Sequence, residues 1–97
     1  MSEKIDPQTL MGFLEKTPRW KHDPQEDLIA AELEFDDFKA AWDFMSQVAQ
    51  AAEEANHHPD WRNVYNKVEI KLTTHDAGGI TEKDIQLARK IDTIVEK

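Results

Sequence analysis

Three of the four histidines in this chain lie close together, and histidine is the side chain best suited to moving protons near neutral pH. His57 and His58 are adjacent, and His75 follows in the run Thr-Thr-His-Asp. Imidazole has an unperturbed pKa of about 6.5, so it can both donate and accept a proton, and it is also a common metal ligand. The cluster therefore predicts either an acid/base site or a metal site.

A metal site would need several ligands that converge on one point. The three histidines, together with Glu53 or Asp84, could supply them. However, the side chains of adjacent residues such as His57 and His58 diverge, and neither His-Glu-x-x-His nor another spaced metal signature is present. The sequence therefore favours proton transfer without a metal ion, and we expect no cofactor.

Other catalytic chemistries have less support. There is no cysteine, and the two serines, Ser2 and Ser46, fall at the terminus and inside a predicted helix. The three glycines form no phosphate-binding loop. One histidine of the pair has a purely structural interpretation, because a histidinium beyond a helix end gains about 0.3–1 kcal/mol from the helix dipole. What remains is proton transfer on a small polar substrate, with Trp61 or Trp20 as an aromatic wall.

Two helices are predicted before the histidine pair. Asp6, followed by proline, caps a first helix that must end by Thr17, because a second proline comes next. The longest helix runs from about residue 38 to 55 and is capped by Asp36 or Asp37. This helix ends immediately before the histidine pair, so it must set the position of that pair.

The apolar residues of the long helix form one stripe at a spacing of three and four. Its members are Phe38, Ala41, Trp42, Met45, Val48, Ala49 and Ala52. We interpret the stripe as core, with Phe44 outside it, whereas exposure of Phe44 or Trp42 would indicate a subunit contact. A final helix starts after Thr81, which is spaced to form a capping box with Asp84.

Four short strands complete the predicted order. The first lies at about residues 19–22, and the second alternates from Leu28 to about Phe35 after a turn at 23–27. The third lies near residues 63–65, and the fourth follows a turn at Asn66-Lys67 and alternates through Leu72. The order α-β-β-α-β-β-α predicts one α+β domain over residues 1–97. It has two layers, with three helices on one face of a four-stranded antiparallel sheet.

The net charge and the lengths of the apolar runs limit the partners and the location that we expect. A net charge of −8 opposes binding to nucleic acid or to an anionic membrane. No apolar run approaches the roughly 20 residues that span a bilayer, and the N-terminus lacks the apolar region of a signal peptide. We therefore expect a cytoplasmic protein without a nucleic-acid or membrane partner. A small core with seven large aromatic side chains (three Trp, four Phe) and free sheet edges predicts at least a homodimer.

The sequence resembles the pterin-4a-carbinolamine dehydratases over about residues 18–95. The resemblance rests on Glu-x-x-x-His-His-Pro-Asp-Trp at 53–61, Val-Tyr-Asn-Lys-Val at 64–68, Leu-Thr-Thr-His at 72–75 and Gly-Ile-Thr-x-x-Asp at 79–84. It implies a lyase that removes water from 4a-hydroxytetrahydrobiopterin to give the quinonoid dihydropterin. Such enzymes recycle the pterin cofactor of aromatic amino-acid hydroxylases. It also implies a homodimer or homotetramer.

The same resemblance assigns roles to residues. Catalysis would be carried by His57, His58 and His75 acting without a metal, one as acid and another as base or pterin-orienting donor. The predicted substrate-binding residues are Glu53, Pro59, Trp61 and Asp84. Glu53 would orient a histidine or accept from pterin amino groups, although it could also be a solvated helix residue.

Two alternatives remain open at this point. The chain could be a non-catalytic binding module that retains the fold, which the intact histidine set argues against. It could also be a dehydratase that serves another pterin pathway, such as that of folate or molybdopterin.

Overall fold

A computed structural model describes residues 3–96 and has the predicted order of elements. The structure contains three helices, four strands and one short 3₁₀ turn, which precedes the last helix. In chain order they are α1 (Pro7–Lys16), β1 (Lys21–Asp23), β2 (Leu28–Glu34), α2 (Phe38–Ala55), β3 (Asp60–Val64), β4 (Lys67–Leu72), the 3₁₀ turn (His75–Ala77) and α3 (Glu82–Val95). The prediction α-β-β-α-β-β-α is therefore confirmed.

The strands form one antiparallel sheet in the order β1-β2-β4-β3, so β1 and β3 are its edges. Buried apolar side chains line one face, where Ile29 is in register with Leu72, and Ile70 with Trp61. Residues from all three helices join the core on that face. The predicted two-layer arrangement is confirmed, and the other face of the sheet carries mainly polar and charged side chains.

Several strand boundaries differ from the sequence prediction. The third strand begins at Asp60, three residues earlier than predicted. The first strand begins at Lys21 rather than at residue 19, because the Trp20 N–H donates to the Thr17 carbonyl and closes a turn. The turn between β3 and β4 consists of Tyr65 and Asn66, not of Asn66 and Lys67. Tyr65 takes the left-handed conformation, with φ 51°, that we expected of Asn66. The side chain of Asn66 instead donates to the Phe35 carbonyl at 2.9 Å.

Each helix begins at a residue whose side chain accepts from free N–H groups. Asp6 accepts from the N–H groups of Gln8 and Thr9, and hydrogen bonds from the Thr9 hydroxyl and backbone hold the pKa of Asp6 below its ordinary value. Asp37, rather than Asp36, caps α2 through the Ala40 N–H at 2.8 Å. Such a cap contributes about 0.5–2 kcal/mol to helix stability.

The capping box predicted at the start of α3 is present, with Thr81 and Asp84 as its two members. Thr81 accepts from the Lys83 N–H, while the side chain of Asp84 accepts from the N–H of Thr81. This box lies beside the histidine pair, so it contributes to the site as well as to the helix.

The apolar stripe predicted on α2 is wrong in its angular position. The buried residues of this helix are Ala41, Phe44, Val48, Ala51 and Ala52. Phe44 packs against Phe35, with ring centroids 4.9 Å apart, whereas Trp42 is 56% exposed and Phe38 47% exposed. Three alanines face the core together with Phe44 and Val48, whereas the large side chains of Phe38 and Trp42 face outward.

Within residues 3–96, no helix is both long enough and apolar enough to cross a bilayer.

Candidate active site

The end of α2 brings the histidine pair to a sharp corner. Asn56 adopts a left-handed conformation with φ 51°, and its N–H donates to the carbonyls of Ala52 and Glu53. The His57 N–H donates to the same Ala52 carbonyl at 3.0 Å. These bonds end the helix and fix the direction of the chain. As a result, His57 is buried and His58 is exposed.

His57 contacts a buried carboxylate at the start of α3. Its Nε2 lies 2.5 Å from Oδ1 of Asp84, whose side chain has no exposed surface. The other oxygen, Oδ2, accepts from the Thr74 hydroxyl at 2.8 Å and from the Thr81 N–H at 2.9 Å. Burying a carboxylate is costly unless its oxygens are hydrogen-bonded. This network satisfies Asp84 and holds the His57 ring in one orientation.

His58 has a different partner. Its Nε2 lies 2.6 Å from Oε2 of Glu53, one helical turn earlier on α2. Both side chains are open to solvent, with 58% of His58 and 77% of Glu53 exposed. An exposed pair of this kind contributes about 0–1 kcal/mol to stability. The pair therefore adds little to the stability of the fold.

His75 is exposed and lines a groove of about 540 Å³ at one end of the polar face of the sheet. The groove also contains Asp60, Lys71 and Thr73, whose side chains point away from the helices. The Thr74 and Gly79 backbones exchange two hydrogen bonds, of 3.0 and 3.2 Å, which close the loop that carries His75. His75 therefore leaves β4 toward the polar face, as the alternation of β4 predicts.

Two short connections lead from the corner at His57 and His58 to this groove. Asp84 binds both His57 and Thr74, and Thr74 immediately precedes His75. Asp60, two residues after His58, lines the groove that contains His75. The fold thus joins two segments that are 17 or more residues apart in the sequence into one candidate site.

Within the described chain, no group of three or more His, Asp or Glu side chains is arranged to hold a metal ion. A second groove, of about 380 Å³, lies on the sheet between Glu32, Arg62 and Lys67. Its lining holds no histidine, whereas His75 lines the groove at the end of the sheet.

Comparison with known proteins supports the resemblance seen in the sequence. The profile of the family described as "Pterin 4 alpha carbinolamine dehydratase" matches residues 3–94. This chain belongs to that dehydratase family.

Individual relatives agree with this membership. A Burkholderia multivorans protein is 47% identical over 94 residues, which cover 97% of this chain and 92% of the relative. A Prochlorococcus marinus protein is 48% identical over 95 residues, or 98% of each chain. Both carry the name pterin-4-alpha-carbinolamine dehydratase as a provisional assignment.

Solved structures agree with the fold. A transcriptional coactivator/pterin dehydratase from Brucella melitensis matches with a TM-score of 0.90 and 36% identity, over 95% of this chain and 98% of that one. A pterin dehydratase-like protein described as a RuBisCO assembly factor in the alpha-carboxysome gives a TM-score of 0.67 over 77% of this chain and 87% of that one. At 18% identity, this second likeness shows the fold alone.

The two tryptophans expected to form an aromatic wall lie in different surroundings. Trp61 is partly buried and packs against the core on the helix side of the sheet, next to Ile70. Trp20 is only 2% exposed, and its Nε1 donates to Asp92 at 3.0 Å. The suggestion that Trp20 forms an aromatic wall is therefore wrong. Pro59 is partly buried in the corner between the histidine pair and β3.

Sequence reasoning missed several polar residues around the candidate site. Asp60, Lys71 and Thr73 line the groove, and Thr74 completes the hydrogen bonds of Asp84. A signal existed for Asp60, which lies inside the His-His-Pro-Asp-Trp motif. No comparable signal marked Thr74, because its role depends on how β4 and α3 pack.

Proposed function

We propose that this protein removes water from a 4a-hydroxytetrahydropterin to give the quinonoid dihydropterin. The observation that carries the proposal is the buried His57–Asp84 pair, joined through Thr74 to the groove that holds His75. Membership of the dehydratase family supplies the substrate class. The groove is a shallow polar surface at the end of the sheet, which suits a small, hydrogen-bonding bicyclic ring.

The chemistry needs two proton transfers. The bond between C4a and the hydroxyl oxygen breaks, and the departing group must take up a proton to leave as water. A ring nitrogen of the pterin loses a proton, and its electron pair forms the new double bond to C4a. The products are the quinonoid dihydropterin and one water molecule. Groups that exchange protons near neutral pH serve both transfers best.

The geometry favours His57 as the base. The Asp84 carboxylate accepts from Nε2, which favours the tautomer with the proton on that nitrogen and leaves a lone pair on Nδ1. A buried carboxylate that fixes the tautomer of a neighbouring imidazole is the arrangement used in hydrolytic triads. We assign proton removal from the pterin to His57 Nδ1.

His75 and His58 supply the other transfer. His75 lies in the groove on an exposed turn, and we assign it as the acid that protonates the departing hydroxyl. His58, held by Glu53, would orient the pterin or share this proton transfer. Pro59 and Trp61 are proposed to shape the corner rather than to provide polar contacts, since both are partly buried.

Asp84 has an indirect role in this proposal. Direct contact with the pterin, implied by the family resemblance, remains a prediction, but the fully buried carboxylate already accepts from three protein groups. Burial therefore favours a role in positioning His57. Recycling of tetrahydrobiopterin for aromatic amino-acid hydroxylases is the proposed use of the reaction.

A non-catalytic binding role is the second candidate. It is favoured by one observation, the description of the Brucella melitensis structure as a transcriptional coactivator as well as a pterin dehydratase. The net charge of −8 opposes direct binding to nucleic acid, so such a role would use a protein partner.

One assay tests the proposed function. The 4a-carbinolamine is generated in solution, and formation of the quinonoid dihydropterin is followed by absorbance without protein, with wild type and with a His57→Ala/His75→Ala double variant. The proposal expects wild type to exceed the spontaneous rate and the double variant to lose that acceleration. No acceleration by folded wild type would overturn it and leave the binding role.

A further inference from the structure

A second side-chain cluster lies beside the groove, around the turn between β1 and β2. Asp27, the last residue of this turn, has φ 54°, the left-handed conformation that Asp and Asn tolerate better than other side chains. Its Oδ1 lies 3.0 Å from Nε2 of His22, and its Oδ2 lies 3.1 Å from Nζ of Lys4. Its carbonyl oxygen accepts from the Thr73 hydroxyl at 3.0 Å. Asp27 thus contacts three separate segments of the chain, which contain Lys4, His22 and Thr73.

These segments surround the groove. Gln25 and Glu26, just before Asp27, form one wall of it, and Thr73 and Gly79 belong to the part that carries His75. The segment of Lys4 is itself fixed to the opposite side, because the Ile5 N–H donates to the Ile80 carbonyl at 2.8 Å. Asp27 therefore connects the wall at the turn to the segment that contains His75.

Gly79 shows how closely the two walls approach each other. A Cβ at this position would collide with the carboxylate of Asp27 and with Lys4. The backbone of Gly79 has no positive φ, so its lack of a side chain serves this approach rather than a turn. Burial alone would raise the pKa of Asp27, but hydrogen bonds from His22 and Lys4 outweigh it, so the pKa lies below its ordinary value. Asp27 is therefore a carboxylate at neutral pH.

We propose that Asp27 is a positioning residue for the dehydration reaction, which holds the β1–β2 turn against the His75 loop and so sets the width of the substrate groove. This role rests on the proposed function. It acts on substrate binding, because His57, His58 and their carboxylate partners lie outside the cluster. The loop of His75 is also closed by its own pair of hydrogen bonds between Thr74 and Gly79, which do not depend on Asp27. Loosening the turn should widen the groove without moving those histidines.

The first test is Asp27→Asn. Asparagine also tolerates the left-handed conformation, so the variant keeps the turn and removes the charge that attracts Lys4 and His22. We expect KM for the 4a-carbinolamine to rise about tenfold while kcat changes by less than about twofold. The matched control is Asp43→Asn, an exposed aspartate of α2 that pairs with Lys39 at 3.5 Å, which should change neither constant.

The second test uses the contact with Gly79. Gly79→Ala should raise KM in the wild-type background, because the new Cβ displaces the Asp27 carboxylate. In an Asp27→Gly background, which keeps the left-handed turn and removes the carboxylate, Gly79→Ala should add little further. Such non-additivity is the sign of two residues acting through one contact. Fully additive effects would contradict the proposed contact.

Amide hydrogen exchange tests this inference separately from the proposed function. The N–H groups of Gln25 and Glu26 donate to Asp23 within the turn, and they should exchange faster in Asp27→Asn. Unchanged exchange and unchanged KM in an active variant, or a fall in kcat alone, would overturn the inference and leave the dehydratase function intact. Failure of wild type to accelerate dehydration would instead overturn the function, and this role with it.

Discussion

Nε2 of His57 and Oδ1 of Asp84 lie 2.5 Å apart, although the two residues are separated by 27 positions in the chain. Asp84 is at the same time the third residue of α3 and half of its capping box. One carboxylate therefore starts a helix, fixes the ring of a candidate base and holds the strand end that leads to His75. We therefore expect a substitution at this position to affect both the start of α3 and the candidate site.

Asp84→Asn should damage both roles. The amide oxygen can still accept from the Thr81 N–H, but an amide N–H₂ facing His57 would place two donors together and favour the wrong tautomer. We expect turnover to fall tenfold or more, equivalent to about 1.4 kcal/mol or more of transition-state stabilisation. A loss of about 1–3 kcal/mol in the free energy of unfolding should accompany it. Steady-state kinetics and urea unfolding measure the two effects.

The control for this variant is Glu82→Gln, which changes an exposed acid two residues earlier on the same helix. It should leave both turnover and stability nearly unchanged. An Asp84→Asn protein with full activity and lowered stability would restrict Asp84 to its capping role.

His75→Ala should lose activity without losing stability. Removing a general acid or base costs about 10²- to 10⁴-fold in rate, and His75 is exposed on a short turn, so no packing is lost. His57→Ala should lower both rate and melting temperature, since it removes the partner of a buried carboxylate. Steady-state kinetics and thermal unfolding should be measured for both variants. The control is Gln86→Ala, which changes an exposed residue of α3. Equal and mild rate effects in all three would contradict the assignment.

Glu53→Gln tests whether the His58 pair orients a ring. Because the pair is exposed, the melting temperature should hardly change, while kcat/KM should fall by less than it does in His58→Ala. The neighbouring Glu54 is a matched control, since it is also exposed and its side chain accepts from Gln50 at 3.0 Å rather than from a histidine. If Glu53 acts through His58, its substitution should have no further effect in a His58→Ala background.

Much of the fold could be predicted from the sequence because its signals are local. Phe38–Ala55 forms the long helix, and the box of Thr81 and Asp84 begins the last one, as their capping residues indicate. Helix orientation was harder to predict, since the alanines of α2 rather than Trp42 face the core. An amphipathic pattern with large residues on both flanks does not distinguish a core face from an exposed patch.

The candidate site could be predicted only as a set of residue types. The histidine cluster and the family motifs indicated acid/base chemistry, but the partner of each histidine depends on contacts between distant segments. His57 contacts a residue 27 positions away, and Asp27 contacts Lys4 and Thr73 from a turn that carried no motif. These contacts depend on how distant segments of the chain pack together, and a local sequence pattern does not reveal this packing.

Acid should weaken the Asp27 cluster in a defined pH window. The pKa of Asp27 is lowered in the folded protein from an ordinary value of 3.8, by contacts with Lys4 and His22 that outweigh burial. A lowered folded pKa contributes stability that is present above the unfolded pKa and is lost as pH falls through the folded pKa. The stability difference between wild type and Asp27→Asn should therefore shrink below about pH 4, where Asp27 takes up a proton. Urea unfolding at several pH values in this acid range measures it, and a difference that grows on acidification there would refute the assignment.

Exposed aromatic side chains at the start of α2 predict self-association through that surface. Phe38 and Trp42 stack on each other outside the core, with ring centroids 6.3 Å apart. The turn that carries the 62% exposed Tyr65 lies nearby, because the Asn66 side chain and carbonyl both bind Phe35. Exposed aromatic side chains grouped in this way are typical of an interaction surface. We therefore expect the protein to form at least a dimer.

Trp42→Lys tests this surface against a matched control. It should shift the mass in light scattering at micromolar concentration toward that of the 11.2 kDa monomer, because burying an unpaired charge opposes association. The control is Met11→Lys, since Met11 is a similarly exposed apolar residue on α1, 60% open to solvent, and should leave the mass unchanged. Wild type at the monomer mass would reject self-association altogether. An unaltered oligomer in Trp42→Lys would instead place the contact elsewhere, with the free edges of β1 and β3 as the next candidates.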